Sequence, residues 1–316
     1  MGTGLQKEFT GFYEARNRLI CGDNLRELQD QIENETIDLI YLDPPFCSLQ
    51  NYHLLSSAAE NEHTCQSVSF NDVWHWNEIA EYELAVVEAL PCHELIHFIK
   101  TIIDIWGKSN LAYYLCMMSL RLFELHRVLK SSGSIYLHCD QYASAYLRIL
   151  MDIIFGRENF LNNIAWCYGL GGSSNRRWPR KHDDILWYSK KNDEHYFKAS
   201  LIPATSYRMK GEMKKAPDYW NIPTINNMAK ERTGYPTQKP EALLHRIITS
   251  SSREGNIVLD PFCGSGTTLI EAHKAMRRWV GIDQNAQAIE IAIQRLDGIG
   301  IDRTEYEMEY RNELDD

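Results

Sequence analysis

Ten residues, Ile37 to Phe46 (IDLIYLDPPF), deliver a carboxylate at the point where an apolar run gives out. Ile37, Leu39, Ile40, Tyr41 and Leu42 read as a strand buried on both faces, as in a parallel sheet. Pro44 and Pro45 have no N–H to donate to a ladder, so Asp43 sits at the strand's end. In open α/β sheets ligands bind at such ends. The same ten residues fit equally a strand closed by a proline turn with a solvated acid.

A second Asp-Pro follows much later, in NIVLDPFCGSGTTLIEA at 256 to 272. A buried strand ends in Asp260, a glycine turn follows, and a helix starts at about Thr267. Gly264 and Gly266 let the backbone approach a ligand closely, and the helix start offers unpaired N–H groups. The pattern is neither GxGxxG nor a loop ending in GK[ST], so a dinucleotide or P-loop reading scores poorly. WVGID then places Asp283 at the end of the next strand, where an acid can accept from two ribose hydroxyls. Glycine loop and carboxylate together predict a nucleoside site. HELIH at 93 to 97 fits the zinc-protease helix motif, but no third-ligand motif follows and Pro91 with Cys92 marks a helix start, so no metal is expected.

These residues need a scaffold. RLICGD (18 to 23) and IDLIYLD (37 to 43) are the first strands, and a long helical region covers about 77 to 130, its last part stopping at Gly133. GSIYLHCD (133 to 140) is a strand and YASAYLRILMDIIFG a helix closed by Gly156. NNIAWCY and DDILWYSK can pair as an antiparallel edge. PEALLHRIITSSS is a helix, NIVLDPF a strand, TTLIEAHKAM a helix and RRWVGID a strand. Alternating β and α segments predict an α/β sheet covered by helices on both faces. The acidic end, 301 to 316 with YEMEYRNELDD, reads as a solvated tail.

The chain has 316 residues, 44% of them hydrophobic, enough for one large core with an inserted lobe. Its formal charge of -10 excludes a uniformly basic nucleic-acid glove but allows a local basic patch. The eight cysteines form no CxxC pair and suit free thiols in a reducing compartment. MGTGLQKEFT carries neither a secretory signal nor a myristoylation pattern, and no apolar run approaches the roughly 18 residues that span a bilayer. A cytoplasmic protein is expected, nucleoid-associated if prokaryotic.

DPFCGSGTT resembles the S-adenosylmethionine loop of amino-group DNA methyltransferases, and DPPF at 43 to 46 resembles their catalytic motif. TGYPTQKPEALLHRII at 233 to 248 is similar to the segment that precedes the cofactor loop in that family. The catalytic motif comes before the cofactor motif, as in the permuted β class, and GSIYLHCD and RKHDDILWYSK also resemble that class. The resemblance spans roughly 17 to 290. It implies a circularly permuted Rossmann-like methyltransferase sheet, mostly parallel with one antiparallel edge strand, and catalytic domain segments 1 to 190 and 233 to 300 with a helical insert at about 47 to 110.

It also implies roles. Asp43 and the carbonyl of Pro44 would accept the two N–H groups of an exocyclic amine, Pro45 would stiffen the turn, and Phe46 would offer a flat face to a flipped base. Asp260, Phe262, Gly264, Gly266, Thr267 and Thr268 would hold the methionine end of S-adenosylmethionine, with Thr237, Gln238, Lys239 and Pro240. Asp283 would bind ribose. Asp23 matches the acid at the adenine side, although a helix N-cap before LRELQ explains it as well. Asp43, where cytosine-N4 enzymes more often carry Ser, favours adenine N6. A cytosine-N4 enzyme, an RNA methyltransferase and a catalytically silent DNA-binding subunit are the alternatives.

Residues 176 to 215 hold eleven Lys and Arg against five Asp and Glu, a net +6 set against -16 for the remainder. Such contrast is the footprint expected for phosphate contact. Residues 169 to 182 read as a DNA-facing loop with Arg176, Arg177, Trp178, Arg180 and Lys181. Residues 191 to 232 read as an irregular target-recognition region with Arg208, Lys210, Lys214 and Lys215. The expected partner is double-stranded DNA. A homodimer, and a separate restriction or accessory subunit, fit the family resemblance.

Overall fold

The computed structural model describes residues 16–47, 51–54, 67–71, 74–169, 173–204 and 207–311. In chain order, β1 (Asn17–Cys21), α1 (Asn24–Gln31) and β2 (Ile37–Leu42) precede a small hairpin of β3 (Asn51–Leu54) and β4 (Ser67–Asn71). Helices α2 (Glu78–Glu88), α3 (His93–Trp106) and α4 (Asn110–Val128) follow, then β5 (Leu129–Cys139), α5 (Ser144–Phe155), β6 (Phe160–Cys167) and β7 (His182–Ser189). Short strands β8 (Leu201–Pro203), β9 (Met213–Lys215) and β10 (Tyr219–Asn221) lead to α6 (Glu241–Ser251) and β11 (Ile257–Asp260). The chain then runs through α7 (Thr267–Lys274), β12 (Arg278–Asp283), α8 (Ala286–Gly298) and β13 (Tyr306–Tyr310).

Nine strands form one sheet in the order β10-β6-β7-β5-β2-β11-β12-β1-β13. Their side chains alternate between two cores. Ile20, Ile40 and Leu42 point into the core built with α1 to α5. Leu19, Leu39 and Tyr41 point into the core built with α6 to α8. Burial on both faces explains why these strands read as apolar runs rather than as alternating ones. β2 and β11 are parallel neighbours although more than two hundred residues separate them. Asp43 and Asp260 therefore leave the sheet side by side, in the crevice that such sheets use for ligands.

The structure departs from the sequence reading in four places. The antiparallel strand is β7, but it pairs on one side with β5 and on the other with β6, so it is not an edge. The edge belongs to β10, which lies parallel to β6. Residues 191 to 232 are thus not wholly irregular: β8 and β9 form a hairpin and β10 extends the main sheet. α4 ends at Val128, and β5 begins at once, with Gly133 inside it. A Cβ on Gly133 would lie 2.5 Å from Leu129 Cδ1 and 3.0 Å from the Asp38 carbonyl, so glycine there answers close packing, not helix termination. Finally, the acidic end is not a solvated tail from 301. β13 runs parallel to β1, Arg18 reaches Glu309 at 2.6 Å, and Tyr306 is buried against Trp279. Acidic residues face outward from an edge strand whose first tyrosine is core; residues 312–316 lie outside the described residues.

The insert at about 47 to 110 is not helical throughout: it opens with the β3–β4 hairpin and is helical only from 78 onward, and its residues 48–50, 55–66 and 72–73 lie outside the described residues. HELIH forms the start of α3, with Leu95 buried and His93 and His97 exposed. Among the described residues no three His, Cys, Asp or Glu side chains converge as a metal site. Tyr306→Ala should lower the free energy of unfolding by about 3 kcal/mol, as expected for a buried aromatic, whereas truncating a solvated tail residue would cost almost nothing. Urea denaturation of the two proteins separates these outcomes.

Candidate active site

Asp43 is the first residue past β2, and its side chain is 17% exposed. The Lys239 ammonium donates to its Oδ2 and lies 5.6 Å over the Phe46 ring. Oδ1 is buried without a hydrogen bond among the described residues and faces His138 Nδ1 at 3.6 Å. Pro44 is buried, Pro45 lines the cavity, and the Phe46 carbonyl accepts from Trp74 Nε1 at 3.3 Å. The turn is therefore held at its prolines and again at Phe46.

Behind Asp43 lies a buried polar chain. His138, on β5, is fully buried. Its Nδ1 lies 3.1 Å from Tyr41 Oη, and its Nε2 lies 3.3 Å from Asp183 Oδ2. Tyr168 Oη donates to Asp183 Oδ1 at 3.4 Å. Burial, with Asp43 next, holds the Tyr41 phenol well above its ordinary range, so it stays protonated. Burial pushes Asp183 up, but His138, Lys239 and Tyr168 outweigh it and hold the carboxyl below its ordinary value. A carboxylate can only accept, so Nε2 carries the hydrogen and Nδ1 receives the Tyr41 hydroxyl.

The second Asp-Pro builds the other wall. Asp260 Oδ1 accepts from Phe262 N at 3.0 Å and Oδ2 from the Thr268 hydroxyl. Burial raises the Asp260 carboxyl to about 7, against these hydrogen bonds. Asp283, at the end of β12, accepts from Gly264 N at 2.8 Å and from Asn285 N at 2.8 Å. Burial raises its carboxyl too. Gly264 and Gly266 both have positive φ, and a Cβ on Gly266 would sit 2.9 Å from Ala292 Cβ. Glycine is thus required at Gly266 both by conformation and by the approach of α8. Thr267 accepts from Arg295 at 2.8 Å, so its hydroxyl and that of Thr268 brace the loop.

Asp43, Asp260 and Asp283 line one cavity of about 450 Å³, together with Gly264 and Phe262. Thr237, Gln238 and Lys239 enter it from the segment before α6; Pro240 occupies the N-cap position of that helix. Thr237 has φ 61°, a left-handed conformation rare for a β-branched residue. Gln238 braces its own turn, accepting from Thr233 N at 2.9 Å and donating to Glu231 O at 2.6 Å. Lys239 stands against Asp43, a partnership its place in a cofactor motif did not disclose.

Asp23 also lines the cavity, but its oxygens are engaged: one caps α1 through Arg26 N, the other meets Arg121 at 3.0 Å. Arg121 on α4 also binds Asn24 Oδ1 at 2.7 Å, while Asn24 Nδ2 donates to Pro261 O at 2.7 Å. This clamp, invisible to motif reading, ties the end of β1 to the loop after β11. Cys47 and Cys263 are buried packing residues beside the two loops. The one signal for His138 in the sequence is an ionisable residue within the apolar end of β5, IYLHC.

The basic residues lie elsewhere. Arg176, Arg177, Trp178 and Arg180 are exposed in the loop that enters β7, with Trp178 93% exposed. Lys181 is half-buried, and residues 170–172 of that loop lie outside the described residues. Arg208 and Lys210 are exposed between β8 and β9; Lys214 and Lys215 lie on β9.

The DNA methylase profile, N6_N4_Mtase, matches residues 37–294. The Type II methyltransferase M.HpaI of Haemophilus parainfluenzae is 31% identical over 284 residues, 89% of this chain and 74% of that protein. The DNA adenine methyltransferase YhdJ of Escherichia coli K12 is 28% identical over 313 residues, 94% of this chain and 87% of that one. Among solved structures, the PvuII DNA methyltransferase (cytosine-N4-specific) superposes with a TM-score of 0.55 at 16% identity, covering 89% of this chain and 86% of its own. The M1.HpyAVI–SAM complex gives 0.51 at 18% identity, covering 89% and 98%. These two share the fold. The two strand-end carboxylates, the glycine loop between them and the match along most of the sequence have one common account: this chain belongs to the N6/N4 family of DNA methylases.

Proposed function

We infer that Asp43 receives the target amine of this S-adenosylmethionine-dependent DNA methyltransferase, and that the amine is N6 of adenine. The observation that carries the reading is Asp43 itself: a strand-end carboxylate that lines the same cavity as Asp260, Asp283 and the glycine loop. The named relative that acts on adenine in its own right, YhdJ, supports N6 over the cytosine alternative.

The residues fit the cofactor. The cavity volume lies in the range of small-ligand sites. Gly264 and Gly266 leave the backbone bare, and Asp260 and Asp283 are acceptors beside it. Asp283 keeps lone pairs for ribose hydroxyls, since each oxygen accepts one backbone N–H. Gly264, Phe262 and Thr237 would hold the methionine part. When bound, S-adenosylmethionine supplies a methyl group on a positively charged sulfur, already a good electrophile.

The protein's task is alignment. An exocyclic amine is a weak nucleophile because its lone pair spreads into the ring. Asp43 accepts one of its N–H groups and stabilises the positive charge that develops on nitrogen. Lys239 pairs with Asp43 in the free site and gives up Oδ2 to the amine. Phe46 faces the base, which leaves the duplex to reach the site. Arg176, Arg177 and Arg180 neutralise backbone phosphates, and Trp178 offers an exposed aromatic face beside them. The 191–232 region, with Arg208, Lys210, Lys214 and Lys215, contributes target recognition. Among the described residues no helix is long and apolar enough to cross a membrane.

With duplex DNA and S-adenosylmethionine, nucleoside mass spectrometry should detect N6-methyladenine. Asp43→Ala should reduce it by at least about 10³-fold with the cofactor dissociation constant held within about twofold; substantial activity in that variant removes the assignment. Arg176→Ala with Arg177→Ala should weaken DNA binding and lower the slope of log affinity against log salt by about 2. An unchanged slope in fluorescence anisotropy places the phosphate contacts elsewhere.

Asp260 gives a pH dependence. Its carboxyl is raised from 3.8 to about 7 in the folded protein, so the folded state holds the proton more tightly. The stability this contributes is complete below the unfolded value and is lost as pH rises through about 7. Without cofactor, the wild type should lose more stability between about pH 4.5 and 7.5 than Asp260→Asn does. Equal losses in paired denaturation curves contradict burial as the cause.

A further inference from the structure

His138 is a fully buried imidazole with no part in the mechanism above, yet it stands between two carboxylates. The reaction leaves a proton to place. As the amine nitrogen gains a methyl group it becomes cationic, and one N–H bond then breaks with its electron pair kept by nitrogen. Asp43 is the base within reach. A neutral acid at that position, however, no longer pairs with Lys239, and the next turnover needs the carboxylate back.

We propose that His138 takes this proton from Asp43 and that Asp183 holds the resulting imidazolium, which makes both of them positioning residues for the transfer. The proposal rests on the amine-methylation reading of the site. Three features carry it. Asp43 Oδ1 is buried, lacks a hydrogen bond, and faces Nδ1 at 3.6 Å, a small contraction away from bonding distance. The far nitrogen faces Asp183 at 3.3 Å, which leaves Nδ1 as the accepting nitrogen, with Tyr41 Oη at 3.1 Å and Asp43 Oδ1 at 3.6 Å beside it. Asp183 stays ionised, with Tyr168 on its other oxygen.

The step balances without a further reactant. The protonated Asp43 carboxyl turns its hydrogen to Nδ1, the O–H bond breaks with its pair left on oxygen, and a new N–H bond forms on the ring. Asp43 is again a carboxylate facing Lys239. Asp183 does not take the proton; it stabilises the ring's charge, as the acid of a catalytic triad does. The Tyr41 hydroxyl, which had donated to Nδ1, rotates and accepts instead. When the methylated base leaves, the proton returns to water through Asp43. The groups that face the imidazole and set its charge are Asp43 and Tyr41 from the β2 end and Asp183 from β7, with Lys239 behind Asp43 and Tyr168 behind Asp183. Phe46 and Trp166 close its sides, with ring centroids 5.7 and 5.4 Å away.

The test is the single-turnover rate of N6-methyladenine formation as a function of pH. In the wild type the rate should fall on the acid side as His138 is protonated in advance. His138→Asn should lower the plateau by about 100-fold, hold DNA and cofactor dissociation constants within about twofold, and lose that acid limb. Asp183→Asn, on a partly exposed side chain, should slow transfer about tenfold and move the limb to lower pH, because the imidazolium loses its counter-charge. Nitrogen-15 histidine spectra of the protein without cofactor or DNA should show His138 protonated at Nε2 near neutral pH, and less so in Asp183→Asn. A wild-type rate or an unmoved acid limb in the variants, or an Nδ1–H ring in the spectra, overturns the relay alone. An unaltered chain that makes no methyladenine overturns the reaction and the relay with it.

Discussion

Carboxylates that leave water at the ends of parallel strands are the constraint around which this protein is arranged. Asp43, Asp260 and Asp283 all end strands of one sheet, and each is at least partly desolvated. Such groups are costly unless they are paired or hydrogen-bonded. Asp260 and Asp283 are answered by backbone N–H groups of the glycine loop and the turn after β12, and Asp260 also by the Thr268 hydroxyl. Asp43 is answered by a cation from a different segment. The Gly264 N–H and the Lys239 ammonium, two residues past the left-handed Thr237, are donors that these loops bring to Asp283 and Asp43.

The helices serve the same end from a distance. Arg121 gathers Asp23, Asn24 and Glu83, and Asn24 passes that hold to the Pro261 carbonyl. A side chain on α4 thereby fixes the backbone that carries the glycine loop. Arg295 on α8 does likewise from the other face through Ser265 and Thr267. Rigid positioning of a small loop between two helical layers suits a reaction that depends on alignment.

Much of this was legible in the residues. Strands buried on both faces show as apolar runs, and an acid followed by proline marks where they stop. The antiparallel pairing of β6 with β7 was also readable, because both runs are short and aromatic. What escaped was set by contacts far apart in sequence. The partnership of Lys239 with Asp43 spans 196 positions, and no local pattern encodes it. The burial of Tyr306 follows from Trp279 and the sheet edge, while its own neighbours are acidic and read as solvent-facing. Gly133 was mistaken for a helix stop because packing against Leu129 and helix termination select the same residue. For Asp23 the sequence left two roles open, and the structure shows the cap while leaving the side chain at the cavity wall.

The sheet order has a bearing on how the molecule comes into being. β1 is made early in synthesis but lies between β12 and β13, which are made last. β2 likewise waits for β11. A nascent chain that has emerged only as far as β10 therefore holds the Asp43 turn without the glycine loop and Asp283 beside it. Pairings of such long sequence separation form slowly and only once both partners exist. The cavity is thus complete only once β11 and β12 exist, so a half-translated chain lacks two of its three strand-end carboxylates.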